Sequence, residues 1–569
     1  MTGARTCFGR APLDSRYPLV GSYLNDFSHV SHLFDYDPHD PASYGQRLVE
    51  LSEHDWEREG LAGHLEAYNR SLGAPPATLD AARRLAKPGS VVVIGGQQPG
   101  VLTGPLYTFW KSLAVVELAG VLSLRLGPGV DVVPVFWIGA EDHDLHEVAR
   151  FHVLTPEGEI SDVLYDPAGP SGEAYPERAS VGHLPAGAAA QAFLDRLAPL
   201  LWQTEFTPGV ADFLRRAAAE SRNLGEWFGR LLLHLFGHLG LVVANPLEPE
   251  LRALEGPAFE AMVRDNAAIS EAFERGRESV RELGLTPQVD KDPDAANLYL
   301  YDGIERLPLY RGVTGDGEPV FLAGPRGDSP GPRVLSQDEL LGIARREPGR
   351  LSTNVVLRPL AQDSVFPVLA YVGGPGEISY FALYKGIYRL AGRKLPVIYP
   401  RPGVTLVEPA VERHLSRCGL DAEKALDPAV LRAAKAAYLE EADPVGIDAL
   451  FAKLEGLTES AYAEVFDSMA AVDPSLPELA RKNLGRVTGE MEWLRKKAWQ
   501  QHRQNCRDAV RRFEAIENSF RPRGDFQERV YNIFPYLCKY GPDLAPALAQ
   551  APIVPPDGTP APGHCFIRI

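Results

Sequence analysis

The stretch SVVVIGGQQPGVLTGP, residues 90–105, decides the fold class, because a run of β-branched residues ends there in a glycine-rich segment. An apolar run without alternation is typical of a strand that is covered on both faces. Similar runs recur later in the chain, at residues 130–139, 241–246, 365–374 and 395–403. Helical patterns lie between them, at residues 105–126, 206–239, 249–283 and 377–391. This alternation predicts an α/β fold with a doubly wound parallel sheet.

Two irregular stretches interrupt the alternation, at residues 151–183 and 297–332, and both are rich in Gly, Pro, Tyr and Thr. They predict small antiparallel insertions between elements of the core, and a short helix at residues 336–346 is expected after the second.

The chain changes character after Pro409, because residues 411–520 are almost all helix formers. Apolar residues recur there every three or four positions in two arms, which predicts an antiparallel helical hairpin over residues 447–520. Ser475 and Glu478 have the spacing of a capping box at the start of the second arm.

These patterns divide the chain into seven segments. They are a first part of the core (1–150), an inserted segment (151–240), a core strand and helix (241–296), a small inserted segment (297–348), a second part of the core (349–408), a helical domain (409–523) and a C-terminal segment that packs back on the core (524–569).

Composition narrows the classes of function. The chain has 569 residues, of which 45% are hydrophobic and 23% are charged, and its net charge is −17. An acidic surface of this kind repels nucleic acid and anionic lipid. No apolar segment opens the chain, and the most apolar stretch, residues 231–244, is shorter than the ~20 residues of a membrane span. A cytoplasmic protein without nucleic-acid or membrane partners is therefore expected.

The five cysteines are scattered, without a CxxC pair or a spacing typical of metal ligands. We therefore expect free thiols in a reducing compartment and predict no metal site.

Ligands of open α/β sheets bind beyond the carboxyl ends of the strands. Polar or glycine-rich segments follow four of the predicted strands, at residues 95–105, 140–144, 373–377 and 400–403. They are expected to meet at one edge of the sheet.

The first of these segments, GGQQPGVLTGP, contains Gln97, Gln98, Gly100 and Thr103. Its glycines would let backbone amides approach an anion near the start of the next helix. A tight turn that needs glycine for packing explains the same residues equally well. The pattern is neither GxxxxGK[ST] nor GxGxxG.

The second segment places Glu141, Asp142 and Asp144 around His143. It is open to three interpretations: a metal site, a general base with an orienting acid, or a charged strand end in water. Neighbouring carboxylates would stabilise the imidazolium and raise the pKa of His143 to suit a general base. His143 is the central catalytic candidate, with Asp142 and Asp144 as orienting acids.

Arg358 and Arg401 carry planar donor forks that suit a carboxylate or a phosphate, although a structural ion pair is an equal alternative for Arg358. Gly373 and Gly374 form a second loop for close approach, and Glu377 falls in the first turn of the helix that follows.

Four segments together resemble the bacillithiol-biosynthesis cysteine-adding enzyme family, in order along the whole chain. They are GGQQPGVLTGPLYTFWK, VPVFWIGAEDHD, LRPLAQDSVFPVLAYVGGPGEISY and QERVYNIFPYL. The resemblance implies a Rossmann-like core with connecting insertions and a coiled-coil domain that forms a homodimer.

The resemblance also implies a ligase that condenses L-cysteine with glucosaminyl malate in the last step to bacillithiol. Joining a carboxylate to an amine needs activation, so ATP or ADP is the expected nucleotide. The residues that match the family's pocket are Gln97, Gln98, Thr103, Asp142, His143, Arg358 and those of the loop 373–377.

Two other functions remain open from the residues alone. One is a metal-dependent hydrolase centred on residues 141–144, and the other is a non-catalytic dimeric scaffold built on the helical hairpin. A homodimer held by the hairpin is expected, because Trp493, Trp499 and Phe513 lie off or at the end of the clean apolar seam and need a second surface to bury them. The alternative is that these rings pack onto the core domain of the same chain.

Overall fold

The computed structural model describes residues 7–11, 17–325, 331–561 and 563–569. The chain divides into two compact units, residues 1–406 with 526–569, and residues 407–525.

The strands are β1 (Cys7–Ala11), β2 (Val91–Gln97), β3 (Val132–Ile138), β4 (Arg150–Leu154), β5 (Ile160–Leu164), β6 (Val242–Ala244), β7 (Ala295–Asp302), β8 (Glu305–Val313), β9 (Pro319–Ala323), β10 (Arg333–Ser336), β11 (Leu351–Thr353), β12 (Val368–Gly373), β13 (Val397–Pro400), β14 (Val404–Val407) and β15 (His564–Arg568).

The α-helices are α1 (Pro18–Asn25), α2 (Phe27–Val30), α3 (Ala42–Leu51), α4 (Arg58–Ser71), α5 (Pro76–Arg84), α6 (Leu106–Leu126), α7 (Leu145–Ala149), α8 (Gly187–Leu197), α9 (Thr207–Ala219), α10 (Leu224–Phe236), α11 (Pro249–Arg264), α12 (Asn266–Glu282), α13 (Gln337–Arg346), α14 (Arg358–Val365), α15 (Pro375–Phe381), α16 (Lys385–Leu390), α17 (Pro409–Arg417), α18 (Ala422–Ala425), α19 (Pro428–Glu441), α20 (Ile447–Ala470), α21 (Leu476–Asn505), α22 (Arg507–Phe520), α23 (Gln527–Val530), α24 (Ile533–Tyr540) and α25 (Leu544–Leu548). Within the part of the chain that the structure describes, no helix is both long enough and apolar enough to cross a bilayer.

The centre of the first unit is a parallel sheet with the strand order β13-β12-β2-β3-β6. Its strands coincide with the five predicted apolar runs. Val91 and Val93 belong to one hydrophobic core and Val92 and Ile94 to another, so that β2 is buried on both faces. The predicted doubly wound α/β sheet is confirmed.

Three of the long helical patterns are each divided into two helices. The pattern at 206–239 contains α9 and α10, because Asn223 begins a new helix there and its side chain accepts a hydrogen bond from the amide of Glu226 at 3.0 Å. The patterns at 249–283 and 377–391 likewise contain two helices each, and α15 begins at Pro375.

Both irregular stretches contain antiparallel strands, as expected. The first includes the hairpin of β4 and β5. The second belongs to a five-stranded sheet of order β10-β9-β8-β7-β11, which extends beyond the predicted stretch to Thr353. The predicted helix after it is α13, which begins with a capping box between Ser336 and Glu339.

A third sheet joins the two ends of the first unit, because β1 pairs antiparallel with β15. This pairing brings Cys7 and Cys565 to a Cα–Cα separation of 5.6 Å, and the two form a disulfide. The expectation of free thiols is therefore wrong for this pair, because long-range strand pairing joins cysteines that are remote in sequence. Cys418, Cys506 and Cys538 are free.

The second unit contains the predicted helical hairpin, formed by α20 and α21. The expected capping box is wrong, because the Ser475 hydroxyl donates to Asp473 at 2.7 Å instead of capping α21. Phe513 lies on the separate helix α22, where it is buried and contacts the ring of Tyr438 within the same unit. It therefore needs no partner molecule.

Asn69 closes the free edge of the parallel sheet. Its side-chain amide donates to the Val243 carbonyl at 2.8 Å, and its side-chain oxygen accepts from the Val243 amide at 3.0 Å.

We predict that Asn69→Leu lowers the free energy of unfolding by about 3 kcal/mol, because it leaves two buried backbone groups without partners. Urea denaturation measures this loss. Asn25→Leu at an exposed helix end is the control, and an equal effect of both variants would contradict the role of Asn69.

Candidate active site

The polar segments meet at the carboxyl edge of the parallel sheet, around a cavity of about 630 Å³. Eight predicted site residues line it: Gln97, Gln98, Asp142, His143, Arg358, Gly374, Glu377 and Arg401. The other four, Gly100, Thr103, Gly373 and Asp144, are not among the lining residues.

Packing within the protein accounts for the glycines that follow β2. A Cβ atom on Gly95 would lie 2.9 Å from the side chain of Val115, and one on Gly96 would lie 2.8 Å from the carbonyl oxygen of Trp137. A Cβ on Gly100 would lie 2.9 Å from the Cα of Gly104. Of the two interpretations of this segment, the structure favours the tight turn.

The C-terminal segment holds this turn in place. The Asn532 side chain donates to the carbonyls of Leu102 and Gly104, both at 2.5 Å, and the amide of Leu106 donates to Tyr531 at 2.7 Å. Thr103 is buried within the turn, with a φ of 74°, and does not line the cavity.

The four residues of the acidic segment do not act as one cluster. Glu141 is buried and forms an ion pair with Arg252 at 2.8 Å. Asp144 caps α7 by accepting a hydrogen bond from the amide of Glu147 at 3.1 Å. Among the described residues, no three His, Cys, Asp or Glu side chains are grouped as a metal site would require.

Asp142 is the charged centre of this side of the cavity. It accepts hydrogen bonds from the backbone amide of His143 at 2.7 Å and from the side chain of Gln98. Burial would raise the pKa of Asp142, but Arg306 and these hydrogen bonds hold it below its ordinary value. Asp142 is therefore a carboxylate at neutral pH.

The expectation of a raised pKa at His143 is wrong. Burial lowers the pKa of the imidazole, and Arg306 and Arg178 lower it further. The carboxylates of Asp142 and Asp144 act in the opposite direction but do not prevail. His143 is therefore a neutral imidazole at physiological pH.

Arg306 is the main site residue that sequence reasoning missed. It lies on β8, in the inserted sheet, and its side chain is 4% exposed. Nη1 donates to His143 Nδ1 at 3.4 Å and lies 3.7 Å from Asp142 Oδ1. Nε donates to the hydroxyl of Ser352 at 2.7 Å, and the guanidinium carbon lies 4.0 Å from the centre of the Tyr299 ring. No local pattern distinguishes Arg306 from other arginines, because its partners come from distant segments.

Glu377 is fully engaged by protein groups. It accepts hydrogen bonds from Lys111 at 2.5 Å, from the hydroxyl of Tyr371 at 2.5 Å and from the amide of Gly374 at 2.7 Å. The contact with Lys111 ties the loop after β12 to helix α6. Gly373, the last residue of β12, pairs with Pro400 within the sheet and so lies short of the cavity.

Arg401 is a weaker candidate for a substrate clamp than expected. Its guanidinium donates to both carboxylate oxygens of Glu528, at 2.7 and 2.9 Å, and both side chains are buried. The same carboxylate accepts from the amide of Val404 at 2.9 Å. The guanidinium of Arg401 therefore holds the loop 400–403 in place. It is not free to bind a second carboxylate.

Arg358 is partly buried and lines the same cavity, but its surroundings differ. Its guanidinium donates to the hydroxyl of Tyr380 at 2.9 Å and lies 6.0 Å from the centre of the Tyr371 ring. It forms no ion pair with a carboxylate of the described residues. A partly buried cation whose hydrogen bond goes to a neutral hydroxyl is the strongest site for an anionic group in this cavity.

Two further titratable residues at the cavity were not predicted. Burial lowers the pKa of Lys291, and Asp142 opposes this shift. Burial raises the pKa of Glu147, and Asp142 and Asp144 add to the shift. Together with Arg306 and Arg358, these side chains add charged groups to a cavity that apolar residues such as Trp137 and Val289 also line.

The fold and the cavity define a Rossmann-like α/β protein with a polar site at the carboxyl edge of its sheet and an added coiled-coil unit. The model of the N-terminal Rossmann-like domain of BshC, from bacillithiol biosynthesis, matches residues 10–402, and that of the BshC C-terminal coiled-coil domain matches residues 404–556. The chain belongs to the BshC family.

Curated relatives agree with this assignment. A protein of Symbiobacterium thermophilum is 39% identical over 93% of this chain and 94% of its own length. Proteins of Desulforamulus reducens and Heliobacterium modesticaldum are 35% and 36% identical, and each alignment covers at least 94% of both chains. All three carry the name "Putative cysteine ligase BshC".

The buried pair of Arg401 and Glu528 yields a prediction about stability. We expect Glu528→Gln to lower the free energy of unfolding by about 3 kcal/mol at neutral pH, because it leaves the charge of Arg401 buried without a counter-ion. Glu278→Gln, in an exposed pair with Arg281, is the control and should change stability by less than about 0.5 kcal/mol.

The same variant has an expected pH dependence. Burial would raise the pKa of Glu528, but Arg401 holds it below the ordinary value of 4.5. The stabilisation is therefore complete above pH 4.5 and is lost as the pH falls through the lower value of the folded protein. Thermal denaturation at several pH values should show the gap between the wild type and Glu528→Gln closing in acid. A gap that is independent of pH would contradict this account.

Proposed function

We propose that this protein is a ligase that joins the carboxyl group of L-cysteine to the glucosamine amine of glucosaminyl malate, the last step of bacillithiol biosynthesis. The observation that carries the proposal is the partly buried guanidinium of Arg358, which lines the cavity and whose partners are the hydroxyl of Tyr380 and the ring of Tyr371. Glucosaminyl malate brings two carboxylates, and one of them would supply the missing negative charge. Membership of the BshC family and the names of the relatives support the class of reaction.

The reaction requires activation of the cysteine carboxylate, and we propose ATP as the activator. A carboxylate oxygen attacks phosphorus, and pyrophosphate or ADP leaves. The amine nitrogen then attacks the carbonyl carbon, the bond to the phosphate-bearing oxygen breaks to release AMP or phosphate, and the proton of the amine passes to water. The glycines after β2 are accounted for by packing, so we do not assign the phosphates of ATP to that turn.

The proposed catalytic groups are His143 and Asp142, which line the cavity side by side. Asp144 would act indirectly, since it caps the helix that follows them. Gln98 would hold Asp142 in place, and Gln97, 3.3 Å from the hydroxyl of Tyr107, would contribute to the wall of the cavity.

The purified protein, incubated with glucosaminyl malate, cysteine and ATP, tests the function directly. Mass spectrometry should detect the coupled thiol, and the product should be absent when any one of the three is omitted. Formation of no product with all three present would refute the proposal.

Arg358→Lys tests the proposed anion site. We expect KM for glucosaminyl malate to rise at least about tenfold, or ~1.4 kcal/mol, because an ammonium cannot replace a planar fork. Arg345→Lys, in an exposed ion pair with Glu260, is the matched control. An unchanged KM in Arg358→Lys would assign Arg358 to a structural role.

We also propose that the protein is a homodimer held by the hairpin of α20 and α21. The support is a set of large apolar side chains that are exposed on this hairpin: Leu450, Leu454, Leu457, Val465, Leu479, Trp493 and Leu494. Trp499 contributes less than expected, because its indole donates to Asp448 at 2.9 Å within the unit. A second copy with the same apolar surface is the commonest way to bury such a patch.

Light scattering tests the dimer. We expect twice the monomer mass of 62.2 kDa for the wild type and the monomer mass for the double variant Leu457→Glu with Trp493→Glu. Leu124→Glu, at an exposed apolar position outside the hairpin, should remain dimeric. A monomeric wild type, or a dimeric double variant, would place this proposal in error.

A further inference from the structure

The geometry around His143 points to a role that differs from the general base expected from the sequence. We infer that Arg306 holds His143 as the neutral tautomer with its proton on Nε2, and that this N–H is a hydrogen-bond donor to the carbonyl oxygen under attack. The second half of this inference rests on the proposed ligase reaction, whereas the first half concerns the free protein.

The first step of the argument is the contact between Arg306 and His143. The guanidinium Nη1 lies 3.4 Å from Nδ1 of the imidazole. An arginine side chain carries donors and no acceptor, so Nδ1 must supply a lone pair to this contact. A proton on Nδ1 would place two N–H groups against each other. The proton of the neutral ring is therefore on Nε2.

The position of Arg306 is itself fixed. Its Nε donates to Ser352 at 2.7 Å, and its Nη2 donates to the carbonyl of Thr353. The ring of Tyr299 covers the guanidinium from one side, with 4.0 Å between the ring centre and Cζ. A side chain held at three points and almost fully buried cannot turn away to let Nδ1 become a donor.

The nearby carboxylates do not reverse this arrangement. Asp142 Oδ1 lies 3.7 Å from Nδ1, beyond hydrogen-bond distance, and already accepts from the backbone amide of His143 at 2.7 Å. Asp144 accepts from the amide of Glu147. The charged groups that act on His143 are Arg306, Arg178, Asp142 and Asp144, and with burial their net effect is a pKa below the ordinary 6.5.

The remaining nitrogen determines the chemistry. Nε2 of His143 has no hydrogen-bond partner among the described residues, and the ring lines the cavity. A nitrogen that carries a proton cannot accept one, so this tautomer does not take the proton of the attacking amine. A neutral imidazole N–H can instead stabilise an oxygen that gains negative charge as the amine attacks the carbonyl carbon. No bond to His143 forms or breaks in this step.

Arg306 is a positioning residue in this inference, and NMR of the free protein tests its effect. Protein labelled with ¹⁵N in the histidine rings reports which nitrogen carries the proton, and His143→Gln identifies the signals of His143 by their disappearance. We expect protonated Nε2 and unprotonated Nδ1 at neutral pH. A proton on Nδ1, or a doubly protonated ring, would overturn the inference whether or not the protein makes the thiol.

Arg306→Gln provides the second measurement, since the glutamine oxygen can accept a hydrogen bond from Nδ1. We expect the tautomer to shift towards protonated Nδ1 and the titration midpoint of His143 to rise, because a nearby positive charge is lost. Arg345→Gln, a surface substitution, should leave both unchanged. Unchanged His143 signals in folded Arg306→Gln would overturn the role of Arg306, and the measurement on the wild type stands even if this variant does not fold.

Kinetic measurements distinguish the two roles of His143, hydrogen-bond donor and general base. The side-chain amide of glutamine can donate from about the position of Nε2, whereas that of asparagine corresponds to Nδ1. We expect His143→Gln to keep kcat/KM within about tenfold of the wild type, and His143→Ala and His143→Asn to lose about a hundredfold or more. Equal losses of kcat/KM in all three variants would contradict the donor role and favour the general base expected from the sequence. A wild type that forms no coupled thiol would refute the proposed function but leave the NMR result intact.

Discussion

The parallel pairing of β2 with β3 is the constraint on which the site depends. Seven consecutive residue pairs, from Val91 beside Val132 to Gln97 beside Ile138, hold the two strands in one register. This register brings the segments that follow both strands to the same edge of the sheet, where Gln98 reaches Asp142. A shift by one residue would turn the side chains of one strand to the opposite face and separate these groups. Burial of both faces excludes such a shift, because it would disrupt two cores at once.

The charges at the cavity fall into two groups with different consequences. Arg401 and Glu528 form a buried pair, and the buried Lys111 pairs with the partly buried Glu377. Each pair joins a loop of the site to another part of the first unit. These ion pairs hold the loops in place. Because their charges already neutralise each other, they attract a charged ligand only weakly. Arg358 contacts the hydroxyl of Tyr380 and the ring of Tyr371, which carry no charge. A bound anion would therefore stabilise its positive charge more than that of the paired cations. In this site the paired charges hold the walls of the cavity, and the guanidinium of Arg358 is the group that would recognise an anion.

Sequence reasoning succeeded where a property is local. The five strands of the parallel sheet were predicted because each is a continuous apolar run, and α6 because a helical pattern at residues 105–126 lies between two such runs. It failed where a residue's role depends on a remote partner. From the sequence, Arg401 was predicted to bind a substrate carboxylate. In the structure its guanidinium is paired with Glu528, which lies more than a hundred residues later in the chain. The raised pKa expected for His143 considered the adjacent carboxylates but not burial or Arg306, which comes from another sheet.

The sequence by itself determined the α/β class, the five strands of the parallel sheet, the helical hairpin and eight of the residues that line the cavity. These follow from periodicity and from the rule that polar segments after parallel strands meet at one edge. Only the tertiary structure decided which charges are paired, which glycines serve packing and which nitrogen of His143 carries the proton. Such properties depend on distances of a few ångströms between residues that are far apart in sequence, and no local pattern encodes those distances.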